Sequence, residues 1–314
     1  MKLVDLLGPK KMDEPKLQSL TYFGWGGLVY SLFLFNFFIL HFFILHFFIL
    51  FSVEARAEEY FEKYNLSPNS PSVDYGAQPL SHPAAVVNNV IKHDHILNSE
   101  LSKLKKPLNM LPFKRGADML GFLSNGGLDV AVFGDVPTIT SASEAHVWIV
   151  GLVAQDLVSI VTSGRKTVQE LKGLRIGYVP QSTGDNVLLQ GLATAGLKES
   201  DVHLVPLVIN AMPTALEKGE IDAFAGWEPA STIALKKSNK NTVVFSGAST
   251  DYFVVTKSFE QQFPEAALQV VASLIRAVNW LKSSPKNIEK AVRWSIADSK
   301  AFSGQADSLS IKEI

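Results

Sequence analysis

The chain has 314 residues, 47% of them hydrophobic and 19% charged, with a formal net charge of −1, which suits a globular protein carrying an extra apolar segment. No basic stripe runs through it, which excludes nucleic acid as a partner, because phosphate binding requires clustered Lys and Arg. Cysteine is absent, which excludes disulfides, thiolate nucleophiles, Cys-based zinc sites, iron–sulfur clusters and the acylated cysteine of a lipoprotein.

At the amino terminus, no Asp, Glu, Lys or Arg stands between Lys16 and Glu54. Phe-Phe-Ile-Leu recurs there from Phe37, Phe42 and Phe47, spaced by His41 and His46. A period of five matches neither helix nor strand packing, so the segment is low-complexity sequence whose requirement is hydrophobicity alone. Lys2, Lys10, Lys11 and Lys16 precede it, and Ala55-x-Ala57 closes it with the small-x-small pattern of a signal-peptidase site. Residues 1–57 therefore read as a cleaved signal peptide or as a retained membrane anchor. Either reading places the remainder outside the cytoplasm, in a periplasmic or other extracytoplasmic space. The membrane is touched only through this segment.

Residues 58–70 read as a linker, with Asn65-Leu66-Ser67-Pro68-Asn69-Ser70-Pro71 at their end. Strands are then expected at Val73–Ala77, 108–113, 130–133 and 147–153, and 158–162 is another apolar run. Helices are expected over 83–91, capped by Ser81, and around 115–124 and 136–144. A second set follows, with strands at 175–179, 202–208, 223–225 and 243–245 and helices over 184–195, 211–218 and 229–237. The tail offers one more strand, 252–256, and helices near 264–282 and 285–297. Such alternation implies mostly parallel sheets flanked by helices. Two sets with a remainder at the end imply two lobes, the second inserted into the first: residues 71–165 and 251–314 form lobe 1, and residues 166–250 lobe 2. Ser163-Gly164 and Ser246-Gly247 supply hinge chemistry at the crossings.

In open parallel sheets, ligands bind beyond the carboxyl ends of strands, where helix amino termini point. Five strand-to-helix turns qualify, at 78–83, 134–137, 181–185, 210–213 and 226–229. Each alone is an ordinary helix start with a capping residue. Five on one edge make a cleft lined with backbone N–H groups.

Several stretches resemble a known family. They are Leu171-Lys172-Gly173-Leu174-Arg175-Ile176-Gly177-Tyr178, Ser182-Thr183-Gly184, Leu192-x-x-Ala195-Gly196-Leu197, Ala215-Leu216-x-x-Gly219-Glu220-Ile221-Asp222-Ala223-Phe224 and Trp227-Glu228-Pro229, together with Gly126–Gly134 and Pro137. Over residues 72–295 the chain resembles the ABC-importer substrate-binding proteins for aliphatic sulfonates, taurine, nitrate and thiamine precursors. The resemblance implies a two-lobed α/β type II periplasmic-binding-protein fold that closes on its ligand. It implies a monomer that needs no cofactor, and it implies an ABC permease with its ATPase as partners. Carried over, the ligand contacts fall on Gln78, Ser81, His82, Gly134, Asp135, Ser182, Thr183, Trp227 and Glu228.

Asp135 and Asp185 stand where members for simple anions often carry small or polar residues, so no substrate is carried over. Helix starts at Ser182 and Asn210 favour an anionic group, whereas Asp135, Asp185 and Glu228 on the same rim favour a hydrogen-donating or cationic one. A sulfonate, nitrate, amino-sulfonate or pyrimidine-like ligand remains open. Trp227 reads as a platform over the ligand or as core beneath it. Asp156 reads as a cleft or surface-loop residue. His93 and His95 are two apart and diverge on a helix, which argues against a metal site. No Gly-x-Ser-x-Gly elbow is present, and the cysteine-dependent enzymes of this fold are excluded. A menaquinone-pathway type of enzyme and a sensory ectodomain stand as alternatives to a binding protein.

Overall fold

A computed structural model describes residues 60–304 except 145 and 165. The apolar amino-terminal segment and its Ala55-x-Ala57 motif lie outside the described residues. From Tyr64 onward the described residues form one compact unit. Its strands are β1 (Val73–Ala77), β2 (Leu108–Pro112), β3 (Val130–Phe133), β4 (Val147–Thr162), β5 (Arg175–Tyr178), β6 (His203–Pro206), β7 (Ala223–Gly226) and β8 (Thr242–Thr256). Its helices are α1 (Ala84–Lys92), α2 (His95–Lys103), α3 (Ala117–Ser124), α4 (Asp135–Ser143), α5 (Thr183–Thr194), α6 (Met212–Glu217), α7 (Ala230–Lys237), α8 (Lys257–Gln262), α9 (Pro264–Ser283) and α10 (Pro285–Ser303).

The strands form one sheet in the order β2-β1-β3-β8-β4-β7-β5-β6. The outer trios are parallel within themselves: β1 pairs with β2 and β3, and β5 with β6 and β7. The long strands β4 and β8 run antiparallel to each other and to their flanking neighbours β7 and β3. This is the expected α/β plan, with a parallel set on each side of a central ribbon. Strand β1, Val-Asp-Tyr-Gly-Ala, is buried at all five positions, as a parallel strand covered on both faces must be.

Each half carries its own apolar cluster. In the first half, β1 and β3 pack with α1, α9 and α10. Helix α9 turns Ala266, Ala267, Val270, Ser273, Leu274 and Ala277 inward at spacings of three and four. In the second half, two clusters lie around β5, β7, α5, α6 and α7.

The structure corrects the sequence reading in four places. The strand expected at 147–153 and the apolar run at 158–162 are one strand, β4, and the strands expected at 243–245 and 252–256 are one, β8. Ser246-Gly247 is therefore no loop hinge: Gly247 pairs with Val158 and Ser246 with Ser159 in mid-strand. A Cβ at Gly247 would come within 2.8 Å of Val187 Cγ2, so this glycine serves the close approach of α5 to the sheet. Helix α2 was not expected, although Asp94 caps it at Ile96 N and Leu97 N, and Leu97 and Leu101 face inward. Strand β6 stops at Pro206, short of the expected Val208. Finally, the α1 start has Pro83 as its N-cap and receives no side-chain cap from Ser81, which lines a cavity.

Candidate functional site

The parallel trios aim their carboxyl ends at the seam between the halves, so the turns after β1, β3, β5 and β7 meet there. A cavity of about 30 Å³ lies at the meeting point. Six predicted residues line it: Gln78 and Ser81 after β1, Gly134 after β3, Ser182 and Thr183 after β5, and Trp227 after β7. A volume near that of one water is far below the several hundred Å³ of a ligand pocket. The described conformation is therefore closed, and three hydrogen bonds across the seam hold it. Thr183 Oγ1 donates to Asp135 Oδ1 at 2.6 Å, Trp227 Nε1 to Leu80 O at 3.2 Å, and His82 N to Glu228 O at 3.1 Å.

Local sequence explains how closely the halves approach. A Cβ on Gly134 would lie 2.5 Å from Thr183 Oγ1, a distance side chains do not tolerate, so only glycine lets the α5 start meet the α4 start. Ser182 accepts from Asp185 N at 3.2 Å while Asp185 Oδ2 accepts from Gln181 N at 3.0 Å, a reciprocal cap that fixes this turn. The starts of α1, α4 and α7 have no side-chain cap from their N-cap residue, so backbone donors remain to be served by other groups.

The other four predicted residues lie beside the cavity rather than on its wall. Asp185 is occupied in its own turn. Glu228 Oε2 accepts from Thr232 N at 3.2 Å, in the first turn of α7. Asp135 Oδ1 accepts from Val136 N as well as from Thr183. His82 is buried; its Nε2 meets Ser295 Oγ at 2.8 Å and its Nδ1 has no partner among the described residues. Burial lowers its pKa to about 4, so the ring is neutral at physiological pH. Trp227 combines both of its expected roles. It is 6% exposed, packs among Leu80, Val158, Val179 and Met212, and still presents an edge to the cavity.

Sequence reasoning placed Pro137 in a cleft turn without making it a contact, and it missed Gly116, Ser249 and Asp251 on the cavity wall. The last two lie in the stretch read as a hinge. Alternation was the available signal, because Ser249 and Asp251 continue the two-residue period of the buried Phe253 and Val255. Asp156 is a strand residue, opposite Ser249 in the β4–β8 ladder. Asp251 is 4% exposed, and its pKa is pushed up to about 8, first by burial and then by the Asp156 and Asp135 charges. Burial likewise raises Asp156 to about 6, against a hydrogen bond from Ser249 and with added repulsion from Glu228 and Asp135. No three acidic or histidine side chains come together in a metal-holding arrangement among the described residues.

Residues 146–297 match the NMT1-like family. The chain is 32% identical over 201 residues to the taurine-binding periplasmic protein of Escherichia coli (strain K12), covering 58% of this chain and 62% of that one. It spans roughly two fifths to three fifths of the first curated relatives it matches. Among solved structures, the periplasmic aliphatic sulphonate binding protein of Escherichia coli superposes with a TM-score of 0.60 at 20% identity, over 77% of this chain and 80% of that one. The alkanesulfonate-binding protein of Xanthomonas axonopodis pv. citri bound to MOPS gives 0.60 at 22% identity, over 78% and 82%. The resemblance read from the sequence motifs is borne out, and the fold is that of these periplasmic binding proteins.

Proposed function

We propose that this chain is the solute-binding component of an ABC importer, closing on a small polar solute and delivering it to a permease driven by an ATPase. The observation that carries this reading is the meeting of four strand-to-helix turns, two from each half, around one polar cavity bridged by hydrogen bonds across the seam. Such bridges suit a trap, because they are few and can be exchanged for ligand contacts on opening. The names of the relatives support a sulfonate-, taurine- or nitrate-like solute, and a pyrimidine-like solute rests on the sequence resemblance alone. The chain acts by binding rather than by catalysis, as a monomer, on the outer side of the membrane it reaches through its amino-terminal segment. Gln78, Ser81, Gly134, Ser182, Thr183 and Trp227 touch the solute directly, while His82, Asp135, Asp185 and Glu228 hold the rim that shapes their positions.

The lobes are residues 71–165 with 251–314, and residues 166–250. Because one crossing lies on β8 and the other just after β4, opening bends that ribbon where its register slips, between Ile149 and Gly151, Leu152 and Ala154, and Ile160 and Val161. A thermal-shift panel on the full chain tests the reading. A true solute at a hundred times its Kd adds about 2.7 kcal/mol. A panel of sulfonates, amino-sulfonates, nitrate, pyrimidines and amines that leaves the melting temperature unmoved at millimolar concentration would count against it.

A further inference from the structure

Asp251 has no structural explanation in the fold. It is 4% exposed, lines the cavity, and has no hydrogen-bond partner among the described residues. Asp74 is as deeply buried, yet its Oδ1 accepts from Ser72 Oγ at 2.9 Å and from Asn109 Nδ2 at 2.8 Å. That is how a fold keeps a buried carboxylate for its own stability. The neighbours of Asp251 supply nothing comparable: Ala154 stands opposite on β4, and the Cβ position of Gly134 lies 3.8 Å from Asp251 Oδ1.

The surroundings are of one sign. Asp156 shares the sheet face with Asp251, and its Oδ1 is buried without a partner among the described residues. Asp135 begins α4 beside them, and the charges acting on Asp251 are those of Asp156 and Asp135. A simple anion in this cavity would be repelled by the Asp156 and Asp135 charges and would gain no cationic partner from Asp251. An alkylammonium brings three N–H donors and a positive charge, enough for Asp251, the open oxygen of Asp156 and one further acceptor.

We propose that the cleft selects a solute bearing a positively charged nitrogen, seated on Asp251 with Asp156 and Asp135 beside it. This rests on the cleft being the solute site and adds the ligand's charge to that reading. A proton count follows from it. The groups facing Asp251 are Asp156 from β4, Asp135 from the α4 start, Ser249 on its own strand, Ser182 and Thr183 from the α5 start, and Gln78 and Ser81 from the turn after β1, with Glu228 acting on Asp156. Asp251, raised to about 8, carries a proton at pH 7 in the empty cleft. Seating an ammonium expels it.

Calorimetry on the full chain with matched pairs tests this: taurine against ethanesulfonate, 3-aminopropanesulfonate against propanesulfonate, β-alanine against propionate, and an aminomethylpyrimidine against its methyl analogue. In at least one pair the ammonium member is expected to bind at least tenfold tighter. It is also expected to release close to one proton at pH 7, read from titrations in buffers of different ionisation enthalpy. Asp251→Asn should weaken that ligand at least tenfold and abolish proton release, without weakening the amine-free partner; Asp156→Asn should weaken it in the same direction. Amine-free members binding as tightly as their ammonium partners, or Asp251→Asn leaving both affinities within twofold, would overturn the ammonium site while leaving a solute-binding cleft. Binding of no member of any pair, with no shift from the wider panel, would overturn the solute-binding reading and this inference with it.

Discussion

Replacing Trp227 by alanine should destabilise the unliganded protein as well as weaken solute binding. The indole is 6% exposed in the second-half core, and its Nε1 donates to Leu80 O across the seam. A buried tryptophan removes about 150–250 Å² from water, and at about 25 cal/mol per Å² the part lost on truncation to alanine comes to about 3–4 kcal/mol. Stranding the Leu80 carbonyl adds about 1 kcal/mol. The total agrees with the roughly 3–5 kcal/mol usual for a buried aromatic cut to alanine. At about 2–4 °C per kcal/mol for a domain of this size, the melting temperature should fall by about 10 °C. Trp227→Phe keeps most of the ring but loses the donor, and should cost about 1–2 kcal/mol. Urea unfolding of the three proteins without solute supplies the comparison. If Trp227→Ala unfolds within 0.5 kcal/mol of the parent, the indole is a ligand platform only and its packing role is wrong.

Three further outcomes are expected. Gly134→Ala should open the seam, because its Cβ would fall 2.5 Å from Thr183 Oγ1; overpacking of this kind costs about 1–3 kcal/mol, and scattering should show a larger radius of gyration with solute than the parent has. Asp251→Asn should stabilise the empty protein at pH 8–9 by an amount on the order of a few kcal/mol and leave it unchanged near pH 4. The raised pKa means the carboxyl is neutral in both states below about 4, so the parent alone loses stability as pH rises toward 8; equal stability of the two proteins at pH 8 would contradict this. His82 works in the opposite direction. With its folded pKa lowered to about 4, stability falls as pH drops from about 6.5 toward 4, and His82→Gln should remove that acid limb of the stability profile.

Much of the fold was readable because its elements are locally consistent. Strand β1 lies between turn residues at the positions expected, and α9 announces itself through Pro264 and a regular apolar stripe. The long ribbon was not readable. Gln155-Asp156 and Ser246-Gly247-Ala248-Ser249 have the composition of loops, and it is pairing with a distant strand that makes them extended. The error carried into the site, since Ser249 and Asp251 were hidden in a supposed hinge while the helix-start residues Gln78, Ser81, Ser182 and Thr183 were found through their turns. Asp185 and Glu228 show the limit of rim acids as a signal: both serve backbone N–H groups of their own turns. Sequence position identifies such a residue, but only the hydrogen bonds decide whether it faces the cleft.

The central claim, that the seam between the halves is a solute trap, is tested most directly by a crystal structure of the full chain grown with the solute that gives the largest thermal shift. The account predicts that solute between Gln78 and Ser81 on one side and Ser182 and Thr183 on the other, with the Thr183–Asp135 hydrogen bond parted or rearranged around it. A solute bound elsewhere on the surface, with Thr183 Oγ1 still 2.6 Å from Asp135 Oδ1 and the cavity unchanged at about 30 Å³, would contradict it.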